Sequence, residues 1–585
     1  MNLSTLDHIN ETDHNDPDVD LFELLTMNVE TDDIRPEEGA HVYGQQTAKG
    51  LGAKVEEAIV EDKSGLLKVE LPALFTEDPE KKAFTFKNPL FETLLEEIGQ
   101  GDLLSGAVSD QWIRNYQKLI SVTFGNVVEL KDLLSDRISC DIIDPEYLNI
   151  FSDEDVRDRL VESKNYFDAR YAAHVHDYNL AREKANPFGI IKKEVFVNRA
   201  AVKLAEIDAQ FKIMERFPAK ERDTLVFNDL CGGPGGFSEY LMWRRIQPSQ
   251  KHPTPVNMGQ NANVKPFLGF GITLRDVEPK SQWSKFHAFT ILPAECAPLW
   301  QVDYGQPQQM MGTANMTQSG TGDITDMENI AHLALDIYEK TQDGMCHIVV
   351  ADGGSDVSSD YNKQEWFMSK LILCEFLAAL RTIKRGGVFV CKLFDVFTPF
   401  MISLIYVTSF CFQKTTIIKP VTSRPANSER YVVFEGCLRF VDRDEDVPFE
   451  NLINYLEHAA NSMPGVCEVG EFPKTLYPLN KMPSEFKETL KQWINNFAIY
   501  QTDSLDNIRK FMEDKQLPVL NSEDRARRFR EKVRLPVNHG GRIPNKVTQP
   551  YRRSMPLNRQ PRVASGNRPH TSFHPEPYKK KQRVK

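Results

Sequence analysis

The sequence predicts a doubly wound α/β domain, a largely parallel sheet with helices on both faces, set between polar ends of opposite charge. Three patterns predict it. Six short β-rich runs alternate with amphipathic helical stretches through the middle of the chain. The first run opens straight into a loop of four glycines and one proline, then a helix, the arrangement in which such sheets bind ligands. Single charged residues also interrupt apolar runs near strand ends, where they are costly to bury unless they serve a purpose.

Composition admits such a domain. The 585 residues are 41% hydrophobic, 10% aromatic and 26% charged, an ordinary globular balance that excludes collagen, elastic repeats and a wholly disordered chain. Nine cysteines without a C-x-x-C pair argue against a disulfide framework or zinc ribbon and suit a reducing compartment. The acidic start lacks the basic and apolar regions of a secretory signal, and the uncharged run from Val396 to Phe412 contains Pro399 and falls short of a membrane span. The expectation is a soluble intracellular protein that makes no membrane contact.

Charge is distributed unevenly. Residues 1–40 hold twelve Asp/Glu and one basic residue, Arg35, whereas 521–585 hold 18 Lys/Arg against 4 Asp/Glu, a local +14. With a net charge of −12, the middle is then −12 + 11 − 14 = −15. The acidic start reads as a solubilising disordered segment, and the basic end, closing in KKKQRVK, as either an import or nucleic-acid signal or a solvated tail.

Periodicity then divides the chain into a disordered acidic segment 1–60, a helical lead-in 61–164, the α/β domain 165–440, a small helical module 441–515 and a disordered basic tail 516–585. The expected strands are 224–230, 267–274, 346–354, 387–395, 415–423 and 429–437, and 296–322 reads as an inserted loop. Five residues, SRPAN, separate the last two strands, too few for a crossover helix, so the parallel sheet should end in an antiparallel hairpin.

The loop CGGPGGF fits neither the dinucleotide fingerprint nor the phosphate-cradling G-x-x-x-x-G-K-[ST]. Its glycines let the backbone approach a ligand without a lysine to neutralise phosphate. A cofactor lacking phosphate is favoured, S-adenosylmethionine above all; a nucleotide or a merely tight strand–helix turn are the alternatives.

Four ionisable residues fall where the sheet would gather them: Lys203 on a helix before the first strand, Asp352 after HIVVA, Lys392 in GVFVCK and Glu429 at the last strand's start. In the first helix Leu204, Ile207, Phe211 and Met214 form the apolar stripe, leaving Lys203 beside the core. Buried structural Lys–Asp pairs are the alternative for any one of them. Together they suit methyl transfer to a hydroxyl, in which a neutral lysine accepts the proton; a second cation and desolvation would lower its pKa, while Asp352 and Glu429, orienting the two ammonium groups, would each pull it back up. The sequence offers no His/Cys cluster for a metal.

With FVNRAAVKL, FNDLCGGPGGFSEYLMWRR, LGFGITL, GDITDMENI, ADGGSD, CKLFDVFTPF and KPVTSRPANSERYVVFEG in order, residues 165–440 resemble the FtsJ-type ribose 2′-O-methyltransferases, and among them the eukaryotic mRNA cap methyltransferases. The resemblance implies a Rossmann-like methyltransferase sheet, catalysis by Lys203, Asp352, Lys392 and Glu429, and Lys392 as proton acceptor. It implies S-adenosylmethionine contacts at Asp229, Cys231, Gly232, Gly233, Pro234, Gly235, Gly236, Phe237, Asp323 and Ile324. Arg182, Asn362, Lys363, Gln364 and Asn427 would contact m7G-capped mRNA. Cap 1 formation on the first transcribed nucleotide, nuclear localisation, and the transcription or capping machinery as partner follow as expectations. Methylation of the second cap nucleotide or another RNA, and an inactive RNA-binding scaffold, are the alternatives. Two departures stand out: HVYGQQTAKGLG is at best a remnant of a G-patch, and the acid expected after the second strand is represented only by Asp276.

Overall fold

The computed structural model describes residues 60–61, 67–68, 84–87, 130, 132–140, 145–217, 224–246, 267–275, 282–284, 288–289, 291–292, 294–303, 321–341, 345–355, 360–439 and 447–536. The acidic start before 60, Asp276 and the basic end from 537 lie outside them.

The described residues build one eight-stranded sheet: β1 (Phe84–Lys87), β2 (Leu225–Leu230), β3 (Phe267–Ile272), β4 (Trp300–Asp303), β5 (Cys346–Ala351), β6 (Ile383–Phe394), β7 (Phe412–Ile418) and β8 (Glu429–Cys437). The spatial order is β1-β7-β8-β6-β5-β2-β3-β4. Strands β4, β3, β2, β5 and β6 pair in parallel, and β8 is antiparallel to both β6 and β7. Strands β2, β3 and β8 are buried at every position, which explains why they read as continuous apolar runs rather than alternating ones.

The principal helices are α1 (Glu154–Lys184), α2 (Ala200–Phe211), α3 (Gly236–Ile246), α4 (Met327–Lys340), α5 (Gln364–Thr382), α6 (Pro399–Ser409), α7 (Val447–Asn461), α8 (Ser484–Glu513) and α9 (Glu523–Val533). One core, containing Leu204, Tyr240 and Phe529, unites α2, α3 and α9 with Phe227 and Val390 of the sheet. A second, with Leu377, Leu404 and Leu456, unites α5, α6 and α7 with Val349 and Phe389. Helix α5 lies under other elements all round: 16 of its 19 residues are buried, so LILCEFLAAL shows no polar face. The uncharged run from 396 is α6, started by Thr398, whose side chain accepts from Met401 N, with Pro399 in the first turn, where a missing N–H costs nothing. Among the described residues no helix is long and apolar enough to cross a membrane.

Several expectations change. The hairpin between the last two strands forms, but its second strand enters the sheet between β6 and β7 instead of lying at the end. The α6 crossover carries β7 one strand spacing beyond β6, and β8 returns into that gap. The outer edge is then β1, an antiparallel strand from the region read as purely helical. The stretch 296–322 contributes edge strand β4. Residues 523–533, read as tail, form α9 with Ala526, Phe529 and Val533 buried. Helix α1 runs through the expected boundary at 164, with a kink at His174.

Candidate active site

Strand ends assemble the site. Asp352 follows β5, Lys392 lies two residues before the end of β6, and the antiparallel register sets Tyr431 opposite Lys392 and Glu429 opposite Phe394. Helix α2 brings Lys203 from below, with Leu204 and Ile207 buried beside it as expected and Phe211 only partly buried.

The four expected catalytic residues form two ion pairs. Lys203 Nζ stands 2.9 Å from Glu429 Oε2, and Lys392 Nζ stands 3.2 Å from Asp352 Oδ1 while donating to the Asp352 carbonyl at 2.8 Å. Tyr431 donates its hydroxyl to Asp352 Oδ1 at 2.8 Å, and Ser423 donates to Glu429 Oε1 at 2.7 Å. A side chain at Gly354 would place its Cβ 3.3 Å from Lys392 Nζ, so this glycine leaves the amine room.

The electrostatics depart from the expectation for Lys392. Desolvation lowers its pKa, but the carboxylates of Asp352, Glu429 and Glu375 together outweigh that and raise it. The expected second cation does not offset them, because Lys203 is already paired with Glu429. Desolvation raises Glu429 in turn, yet Lys203, Lys392 and Lys419 hold it well below the usual carboxylate range.

The glycine loop links β2 to α3. Asp229, fully buried, accepts from Ser238 N at 2.9 Å and Ser238 Oγ at 2.7 Å, tying the strand end to the helix start. Its Oδ1 is buried without a hydrogen-bond partner, and burial pushes its pKa up to about 7. Gly232 lies so close to this carboxylate that a Cβ would come within 2.4 Å of it. Cys231 is half-buried, and Phe237 is buried with its ring 6.4 Å from Tyr431. Across the strand ends Asp323 Oδ1 accepts from Thr325 N at 2.9 Å and Thr325 Oγ1 at 2.8 Å, and Ile324 is buried. An open glycine backbone beside an unsatisfied buried acceptor, with a second carboxylate near, fits a ligand bearing an amino group and hydroxyls and no phosphate. Asp229, the 231–237 loop and Asp323 would hold S-adenosylmethionine.

Gly235 is required for its backbone, at φ +110°, and its Cβ would meet Phe289 at 2.9 Å. Gly236 is required for packing instead: a Cβ there would lie 1.9 Å from Asn198 Oδ1, so bulk at this position separates α3 from α2 rather than filling ligand space.

The expected RNA-contact residues sit along one edge. Arg182, near the end of α1, shares a small cleft with Asn186, Arg424, Ala426 and Ser504. Asn427 Oδ1 accepts from Lys419 and from Ser423 Oγ. Gln364 Oε1 accepts from Ser428 Oγ at 2.5 Å, which joins α5 to the Asn427 turn. Asn362 donates to Asn165 Oδ1 at 2.8 Å, so it bridges to α1 rather than to the catalytic pairs.

Sequence reading missed Tyr431, Glu375, Glu206 and Lys419. Glu375 was signalled as a charge inside an apolar helix; it accepts from Gly353 N at 2.9 Å and contacts Cys391 Sγ at 3.4 Å. Glu206, one turn beyond Lys203, accepts from Val421 N, Thr422 N and Thr422 Oγ1, anchoring the turn before β8 to α2.

The sheet, the glycine loop and the Lys-Asp-Lys-Glu group define a methyltransferase domain, and residues 196–437 match the model of the FtsJ-like methyltransferase family. This segment of the chain is an FtsJ-like methyltransferase domain. The chain is similar to cap-specific mRNA (nucleoside-2′-O-)-methyltransferase 1 of Xenopus laevis, 34% identical over 388 residues that cover 64% of this chain and 40% of that one. The Dictyostelium discoideum enzyme of that name is 31% identical over 355 residues, covering 59% and 42%, and the human one 35% over 309 residues, covering 51% and 33%. The chain thus spans between about a third and two fifths of the length of these relatives.

Proposed function

We propose that this protein is an S-adenosylmethionine-dependent ribose 2′-O-methyltransferase that acts on the first transcribed nucleotide of m7G-capped mRNA. The observation that carries the proposal is the pair of ion pairs, Lys203–Glu429 and Lys392–Asp352, converging at the mouth of the glycine loop in a domain similar to cap methyltransferases. A ribose hydroxyl is a poor acid, so a base must take its proton as it attacks. S-adenosylmethionine, when bound, supplies the electrophilic methyl group. Lys392 is the group whose amine, once neutral, can accept the proton, while Asp352 and Tyr431 fix its direction. Lys203 and Glu429 hold the opposite wall, and positioning of this kind removes much of the entropic barrier. A nuclear site of action, within reach of the transcription or capping machinery, belongs to the same proposal.

The test offers purified protein and labelled cofactor to matched RNAs with and without a 5′ m7G cap, then maps the methylated nucleotide. Label at the first nucleotide of capped RNA alone is expected. Label at the second nucleotide or on uncapped RNA would move the assignment within ribose methyltransferases, and no label would favour an RNA-binding scaffold.

A further inference from the structure

Arg430, next to Glu429 on β8, is completely buried, and none of its guanidinium nitrogens has a hydrogen-bond partner among the described residues. Its nearest carboxylate, Asp395 Oδ1, is 3.9 Å away. Aromatic rings surround it instead: its guanidinium carbon lies 3.8 Å from the Phe497 ring centroid, 5.4 Å from that of Trp493 and 5.7 Å from that of Phe397. A desolvated cation on ring faces is attracted by their quadrupoles, which here stand in for the missing acceptors.

The same Phe497 ring lies 5.4 Å from Lys419 Nζ. Lys419 leaves the end of β7 and donates to the Asn427 and Glu429 carbonyls, each at 2.7 Å, and to the Asn427 side chain. One amine thereby fixes the turn that delivers both Asn427 and Glu429. Trp493, Phe497 and Gln501 fall at successive i, i+4 positions of α8, one stripe facing this turn, and Gln501 donates to the Ala426 carbonyl at 3.2 Å.

We propose that Phe497 is a positioning residue for methyl transfer: its ring clamps Arg430 and Lys419, and through them orders the 419–429 segment that presents Asn427 and Glu429 to the RNA. This inference rests on the functional reading above for its consequence, and on the contacts alone for the ordering. It gives α8 a task at the active site.

The test compares full-length Phe497→Leu, which keeps apolar bulk without a ring face, with Phe497→Trp, which restores one. Hydrogen exchange of backbone amides is followed in peptides spanning 419–429 and in β5, with RNA KM, kcat and S-adenosylmethionine affinity measured alongside. Leucine is expected to speed exchange in 419–429 about tenfold, leave β5 unchanged and raise the RNA KM about tenfold, with cofactor affinity held, and tryptophan to restore all of these. Unchanged exchange in 419–429, equal loosening of β5, or failure of tryptophan to rescue would overturn the inference. Should the wild type methylate no RNA while exchange responds as stated, the functional reading fails and the ordering role of the ring stands.

Discussion

Lys392 is held at two points by a single residue: its amine donates to the Asp352 carbonyl at 2.8 Å and lies 3.2 Å from the same residue's carboxylate. The hold fixes the amine and also keeps it charged, since the surrounding carboxylates raise its pKa. Below a raised pKa the amine is mostly charged, and its neutral fraction grows about tenfold for each unit by which the pH rises. The rate of methyl transfer should therefore climb with pH through the neutral range with a log slope near one, and a flat profile would remove Lys392 as proton acceptor. Lys392→Ala should cost about 100-fold or more in turnover while cofactor affinity stays within a few-fold by calorimetry.

Glu375 offers a separate handle on that amine. It sits behind the Asp352 loop, and its charge is one of the three that raise Lys392. In Glu375→Gln the amide oxygen can still accept from Gly353 N, so the loop geometry survives while the negative charge is lost. The rising limb of the pH–rate profile should move to lower pH. A limb that stays in place or moves upward would show that this carboxylate does not set the lysine's charge.

Much of this site was legible. Lys203, Lys392 and Glu429 could be found because each is a charge in a helix or strand with apolar neighbours, Asp352 because it follows the apolar run HIVVA, and the loop because glycines cluster at a strand's end. Which influence wins at Lys392 could not be read, because the sequence sets cations and desolvation against Asp352 and Glu429 without their distances and does not show that Glu375 reaches the site from α5. Helix α9 was hidden by its own charge: Ala526, Phe529 and Val533 have helical spacing, but the basic residues between them made the stretch look like tail. Strand β1, four residues long, is recruited by the open edge of β7 and has no internal signal of its own.

Buried carboxylates make stability depend on pH with a definite sign. Desolvation raises Asp229, Glu206, Glu239, Glu365 and Glu375 to about 7 each. The folded chain then holds protons that the unfolded chain, with carboxyl pKa values near about 4, has already released. Their contribution is complete below the unfolded values and is lost as pH rises towards 7, at up to about 1.4 kcal/mol per pH unit for each proton held. The depressed Glu429 acts in the opposite sense, but only as pH falls below its unfolded value. Denaturant unfolding at fixed ionic strength should give a more stable protein at pH 5.5 than at 7.5, and the reverse order would contradict protonated burial.

Buried Asp395 stands between two cations, 3.1 Å from the half-buried Lys164 Nζ of α1 and 3.9 Å from the fully buried Arg430. Removing one partner of a buried ion pair leaves the other uncompensated, at a cost of about 3 kcal/mol or more. Asp395→Asn keeps the shape and removes the charge, so a clear fall in Tm is expected. Reversal of most of that fall by adding Lys164→Met would assign the loss to the stranded charge; a Tm unchanged in the single variant would show that the cluster carries no such energy.

The packing of α9 redraws where the basic end can be removed. Phe529 is buried with its ring 5.8 Å from Phe188, and Arg530 pairs with Glu194 at 3.2 Å, so truncation at 521 takes apolar side chains out of the core beside α2. Truncation at 538 leaves that core whole yet still removes 12 Lys/Arg against one Asp/Glu, a segment of net charge +11. The 521 truncation should therefore melt at a distinctly lower temperature than the full chain, and the 538 truncation at the same one. Only the second is suitable for asking what the charge does. If the basic end serves import, the 538 truncation should bind RNA with nearly the salt dependence of the full chain and lose its nuclear accumulation. A markedly shallower dependence of log affinity on log salt would mean that counterions are released by the tail itself, making it an RNA contact instead.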